Sequence, residues 1–138
     1  MNRTAQEKQQ RGTSTLEFIV VLPTLLLVLF AIIEFSRAWL TVNIVTTASR
    51  EGARVGVVTP TSSGDVFDNT DALARIDQIL ASANLSDGAT RNVTCAAPCV
   101  SGSTVQADVQ VTFDTVIPLL SSILTNVNIS RTTTMRYE

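Results

Sequence analysis

Glu17 is the one carboxylate in the stretch RGTSTLEFIVVLPTLLLVLF, residues 11–30, which is otherwise apolar past its first turns. An ionised side chain is expensive in such a run, about 2.5–3.5 kcal/mol at a bilayer centre and less near an end, where it can reach toward the headgroups. An acid kept there usually marks a partner of opposite charge. Gly12 lies five residues before Glu17 and is followed by Thr13, Ser14 and Thr15. A cut after Gly12 would leave a positive amine on Thr13. In a bundle of staggered helices, that amine would sit beside Glu17 of the next chain and neutralise it in low-dielectric surroundings. The chemistry expected here is assembly.

Other residues that could do chemistry are few. The chain has no His, and its only Lys is Lys8. The commonest general base, the commonest metal ligand and most Schiff-base chemistry are therefore missing, as are Ser-His and Ser-Lys arrangements. A carboxylate pair is the only catalytic option left, and no spacing marks one, so an enzyme is not expected. Cys95 and Cys99, in CAAPC, are the only cysteines. Two thiolates without His or a second Cys pair cannot supply four zinc ligands, and outside the cytoplasm they are expected to form a disulfide closing a hairpin loop. The three Asp of DVFDNTD, residues 65–71, do not follow the spacing of a calcium loop. Asp68 or Thr70 reads better as an N-cap. The formal charge is −2, with the basic residues dispersed, so no face concentrates enough charge to neutralise nucleic-acid phosphates. No cofactor, metal or small-molecule substrate is expected.

The elements that must carry Glu17 follow from hydropathy. Phe18 to Ile33 is free of charge and, with Leu16 and the stretch from Phe35 to Leu40, reaches the length of about 20 residues that a spanning helix needs. Arg3, Lys8 and Arg11 precede it against Glu7 alone, whereas Glu34 and Arg37 offset one another beyond it, so the N-terminus is expected in the cytoplasm and the rest outside. A cleaved signal peptide fits poorly, since EFSRAW lacks the small-x-small site and the apolar run is too long. Helical spacing continues through Phe35, Trp39, Val42, Val45, Ala48 and Ala53, predicting one helix over residues 15–58. Pro23 interrupts it without an amide for the carbonyl of Ile19, either as a tolerated kink or as a hinge used in assembly. Ala48, Gly52 and Gly56 form a row of small residues that admits a close neighbour, either another subunit or the chain's own sheet.

Thr59 to Thr70 reads as a linker, and residues 71–84 as an amphipathic helix with Leu73, Ile76, Leu80 and Ala83 on one stripe and SDG ending it. The period then changes to two. Val105, Ala107, Val109, Val111 and Phe113 alternate with polar residues; Arg91 to Cys95 is the expected hairpin partner, with Val93 and Cys95 inward. Ile129 to Tyr137 is the expected third strand, reached through a short helix at Pro118 to Thr125. The fold class is α+β: a long transmembrane helix, then a small domain with an antiparallel sheet of about three strands and one or two helices.

Gly12, Glu17 and Phe18 before an apolar helix resemble the prepilin-peptidase site of type IV pilin-like proteins. The longer string, with VLP at Val21 to Pro23, IIEFSR at Ile32 to Arg37 and ASREGAR at Ala48 to Arg54, resembles the TadE-like branch of the tight-adherence (Flp) pilus system. The resemblance runs from about Arg11 to Val58. It implies removal of residues 1–12 by a prepilin peptidase, with Thr13 as the new terminus. A helix over 13–58 would follow, spanning the bacterial inner membrane at about 16–38, then a linker at 59–70 and an extracytoplasmic domain at 71–138. Other pilins or pseudopilins and an inner-membrane assembly platform are the implied partners. Carrying a folded domain, the chain looks like a minor component rather than the tiny major subunit. Seven arginines would remain against eleven acids after the cut, weakening the cytoplasmic anchoring. The alternative is an uncleaved anchor that presents a small binding module.

Overall fold

The computed structural model describes residues 3–59, 67–117 and 127–136, with side chains from Thr15 onward. The chain forms two compact units, Met1–Arg37 and Ala38–Glu138.

The first unit is the leading part of helix α1, Arg3–Val58. The helix starts well before the expected Thr15, because Ala5, Gln6, Glu7, Lys8 and Gln9 are strong helix formers with no Pro or cap among them to set a later start. Every side chain from Thr15 to Ile33 is exposed, Val20 at 70% and Phe18 at 63%. With a mean hydropathy of 2.8 in its apolar window, this is a helix long and apolar enough to cross a membrane. It suits a membrane anchor. Hydroxyls on it are returned to the backbone, Thr24 Oγ1 donating to the carbonyl of Val20 at 3.3 Å and Ser36 Oγ to that of Ile32 at 2.9 Å. Such bonds remove the cost of a bare hydroxyl in an apolar phase. Among the described residues of this unit Glu34 alone is buried, and its Oε2 accepts from Arg37 Nη1 at 2.7 Å.

The second unit holds the end of α1, helix α2 (Thr70–Ser82) and strands β1 (Thr90–Cys95), β2 (Thr104–Phe113) and β3 (Val127–Arg136). The sheet is antiparallel in the order β1-β2-β3, as the alternation predicts. Val105, Ala107, Val109, Val111 and Phe113 all point inward from the central strand. They meet Val45, Ala48 and Ala53 of α1 and Ala72, Ile76 and Leu80 of α2 in one core. Each large aliphatic side chain buried there contributes about 1.5–3 kcal/mol. Cys95 packs against the core as expected, half-buried at the end of β1 opposite Val105. β3 begins two residues earlier than expected and is described to Arg136; the short helix expected at Pro118 to Thr125 and residue Tyr137 lie outside the described residues.

Both ends of α2 differ from expectation in instructive ways. Its N-cap is Asn69, which makes no side-chain cap bond; its Nδ2 instead donates to the carbonyl of Val93 on β1 at 3.0 Å. Asp68 works from one residue earlier, its Oδ1 accepting the amide of Thr70 at 2.9 Å. The helix stops at Ser82 rather than at SDG. The amide of Leu85 donates to the carbonyl of Leu80 at 2.9 Å and that of Asn84 to Ala81 at 3.1 Å, with Asn84 at φ 54°. This is a Schellman stop with Asn in the left-handed position that glycine usually takes, and Leu85 turned onto the core beside Leu80. Asn tolerates that conformation because its short side chain can bond locally, whereas Ala pays the Cβ clash in full. Asn84→Ala is expected to cost about 1 kcal/mol and Asn84→Gly little, as read from equilibrium denaturation of the full chain in detergent.

Candidate assembly surface

Glu17 stands on α1 with apolar neighbours exposed on all sides: Leu16 at 66%, Phe18 at 63% and Ile19 at 59%. Among the described residues it has no ion-pair partner. Position 13 lies four residues earlier on the same helix, so positions 13 and 17 share one face, about 6 Å apart along the axis. Gly12 and Thr13 are inside α1, in continuous helix with the residues on either side. Pro23 is inside the helix too, one residue before the Thr24 hydroxyl that donates to Val20.

The small-residue row serves the interior of this chain. Ala48 is fully buried, and Gly52 and Gly56 are buried with it. A Cβ at Gly52 would stand 2.5 Å from Ile76 Cδ1, and one at Gly56 would stand 3.0 Å from Val105 Cγ1. The absence of side chains at these two places lets α1 approach α2 and the sheet, and leaves no surface at the row for another subunit. On the adjoining position Ser49, also fully buried, shares a hydrogen bond with Thr133 of β3, joining hydroxyl to hydroxyl.

Cys95 and Cys99 are joined as a disulfide, with Cα atoms 5.7 Å apart, and close the β1–β2 hairpin loop. Ser103 finishes the loop: its Oγ donates to the carbonyl of Pro98 at 2.7 Å and accepts the amide of Val100 at 3.1 Å. Arg136 Nε on β3 donates to the carbonyl of Gly102 at 3.3 Å.

Three features escape a reading of the residues in line. The Glu34–Arg37 pair is legible as an i, i+3 charge pair but its burial is not. The Ser49–Thr133 bond joins residues 84 apart and has no local signal. The ion pair of Arg91 Nε with Asp77 Oδ1, at 2.5 Å, likewise joins β1 to α2 across the fold.

No curated protein and no solved structure matches the chain. Over residues 12–54, however, it matches the model of the TadE-like protein family, and the matched residues, Gly12 to Arg54, all lie within α1.

Proposed function

We propose that this protein is a structural subunit of tight-adherence (Flp-type) pilus assembly: a minor pilin or pseudopilin cut by a prepilin peptidase after Gly12 and held in the bacterial inner membrane, its C-terminal domain outside. It performs no catalysis in this role. The observation that carries the reading is an exposed carboxylate, Glu17, on an exposed apolar helix whose family match opens at Gly12.

The physical case runs from charge. Before the cut, Glu17 lies in the middle of a helix that carries Arg11 and Lys8 upstream. After it, Glu17 falls in the second turn of a new helix, near unpaired amides and their partial positive charge. The Thr13 amine of a neighbouring chain completes the neutralisation, and lateral packing of the exposed apolar side chains follows. The prepilin peptidase and other pilin-like subunits are the partners this requires, together with an inner-membrane platform.

Intact mass of the protein from cells with an active prepilin peptidase tests the cut. The expected species lacks residues 1–12, and Gly12→Leu, which puts a bulky side chain at the scissile position, is expected to retain them in full. A functional protein that keeps Met1 would favour the tethered binding module instead.

A further inference from the structure

We infer that the cut after Gly12 is gated by the backbone of the substrate itself. It proceeds from a state in which α1 opens at residues 12–14, and Ser14 sets the population of that state by capping the helix that remains. This rests on the processing role above and goes beyond it by assigning a determinant of the reaction outside the scissile pair. The closed state is the helix of the structure. α1 is continuous from Arg3 to Val58, so the Gly12–Thr13 peptide lies in its interior. In such a helix the Gly12 carbonyl accepts the amide of Leu16, and the Thr13 amide donates to the carbonyl of Gln9. Hydrolysis adds water to the Gly12 carbonyl carbon and breaks its bond to the Thr13 nitrogen, leaving a carboxylate on Gly12 and an ammonium on Thr13. Inside a helix that carbon is flanked by the neighbouring turns and its oxygen is engaged, so the peptide leaves the helix before a peptidase can polarise it.

The residues at this place favour opening. Gly12, Thr13, Ser14 and Thr15 are consecutive weak helix formers, set between the strong formers of Ala5 to Arg11 and those at Leu16 and Glu17. TVNIVTT at 41–47 is as weak in propensity, but packing holds it, with Thr41 and Val45 buried. Thr15 is exposed. Gly12 also gains more backbone freedom on release than any other residue type would.

The open state has support of its own. A break in a helix strands the first amides of the part downstream. Ser is among the best residues to accept them, and with Ser14 as N-cap its Oγ takes the amide of Leu16 or Glu17. The remaining helix then starts at Thr15, the start that the order of residues predicts, and Gly12 and Thr13 stand outside it as extended chain. The cap uses a backbone amide, so Glu17→Ala leaves it in place and the pairing role of that acid is separate from the gate. One segment thus has two arrangements, a continuous helix and a capped helix with a freed leader. Helical segments open and close within about a microsecond, so the rate of cutting follows the population of the second arrangement.

Initial rates of cutting of the full chain by purified prepilin peptidase, in one detergent and read by intact mass, test the gate at Ser14. Ser14→Ala removes the cap and strengthens the closed helix, and is expected to slow the cut about tenfold. Ser14→Asn keeps a capping oxygen, and Ser14→Gly caps nearly as well while weakening the closed helix, so both are expected at the parental rate or faster. Hydrogen exchange of the uncut chain, with no peptidase present, should show the amides of residues 13–16 about tenfold better protected in Ser14→Ala and no better protected in the other two. A peptidase that recognised the hydroxyl itself would slow on all three variants. That result overturns the inference, as does an unchanged rate or unchanged protection in Ser14→Ala. Cutting after Gly12 that is indifferent to Ser14 removes the gate and leaves the processing role standing, whereas a parent chain that is never cut removes both.

Discussion

Glu17→Ala is expected to reduce incorporation of the processed subunit into multi-subunit assemblies by about two to three orders of magnitude, while leaving removal of residues 1–12 and membrane insertion intact. Breaking a buried ion pair by deleting one partner costs about 3–5 kcal/mol, because the other charge remains without compensation, and each 1.4 kcal/mol is a factor of ten. Here the stranded charge is the Thr13 amine of the neighbour. Insertion moves the other way, since an exposed acid in an apolar helix is a cost that alanine removes. The opposed signs make the result diagnostic. Quantitative crosslinking of processed subunits, with intact mass as the control for cleavage, measures it; assembly at the parental level would dispose of the pairing. Glu17→Gln is expected to fail with it, since a neutral amide fills the volume but leaves the amine unneutralised.

Ile76→Ala is expected to destabilise the second unit by about 2–5 kcal/mol, a large share of the 5–15 kcal/mol by which domains are stable. Ile76 is fully buried, and its Cγ1 and Cδ1 occupy the space over Gly52. Gly52→Ala is destabilising for the converse reason. Its new Cβ, 2.5 Å from Ile76 Cδ1, overpacks a side chain that has nowhere to go, at about 1–3 kcal/mol, and the gain of about 1 kcal/mol in helix propensity offsets only part of it. In the double variant the Cβ at position 52 enters the volume that Ile76 has left. The combined loss should fall short of the sum by about 0.5–3 kcal/mol. Equilibrium denaturation of the full chain in detergent, with hydrogen exchange of the β2 amides, reads all three; strict additivity would show that α1 and α2 do not meet at this point.

The sheet was legible in the residues because period-two alternation from Val105 to Phe113 has one physical meaning, a strand with one dry face, and a central strand places its neighbours. The apolar helix was legible for the same kind of reason: no other element satisfies its backbone inside a bilayer. Glu17 could be singled out by cost alone. Helix boundaries were less so, since α1 extends to Arg3 on propensity without any cap to mark it, and α2 stops on an asparagine whose left-handed backbone is set by the Leu85 contact with the core.

By itself, then, the order of residues determined what is local: the apolar run and its acid, the period of each element, and a cysteine pair close enough to bridge. What the glycines at 52 and 56 are for, which way the α2 stripe turns, and that Asn69 serves β1 rather than its own helix were decided only by tertiary structure. Those facts depend on which distant segment arrives at a given face, and a small side chain or a free amide reads the same in sequence whichever neighbour it is waiting for.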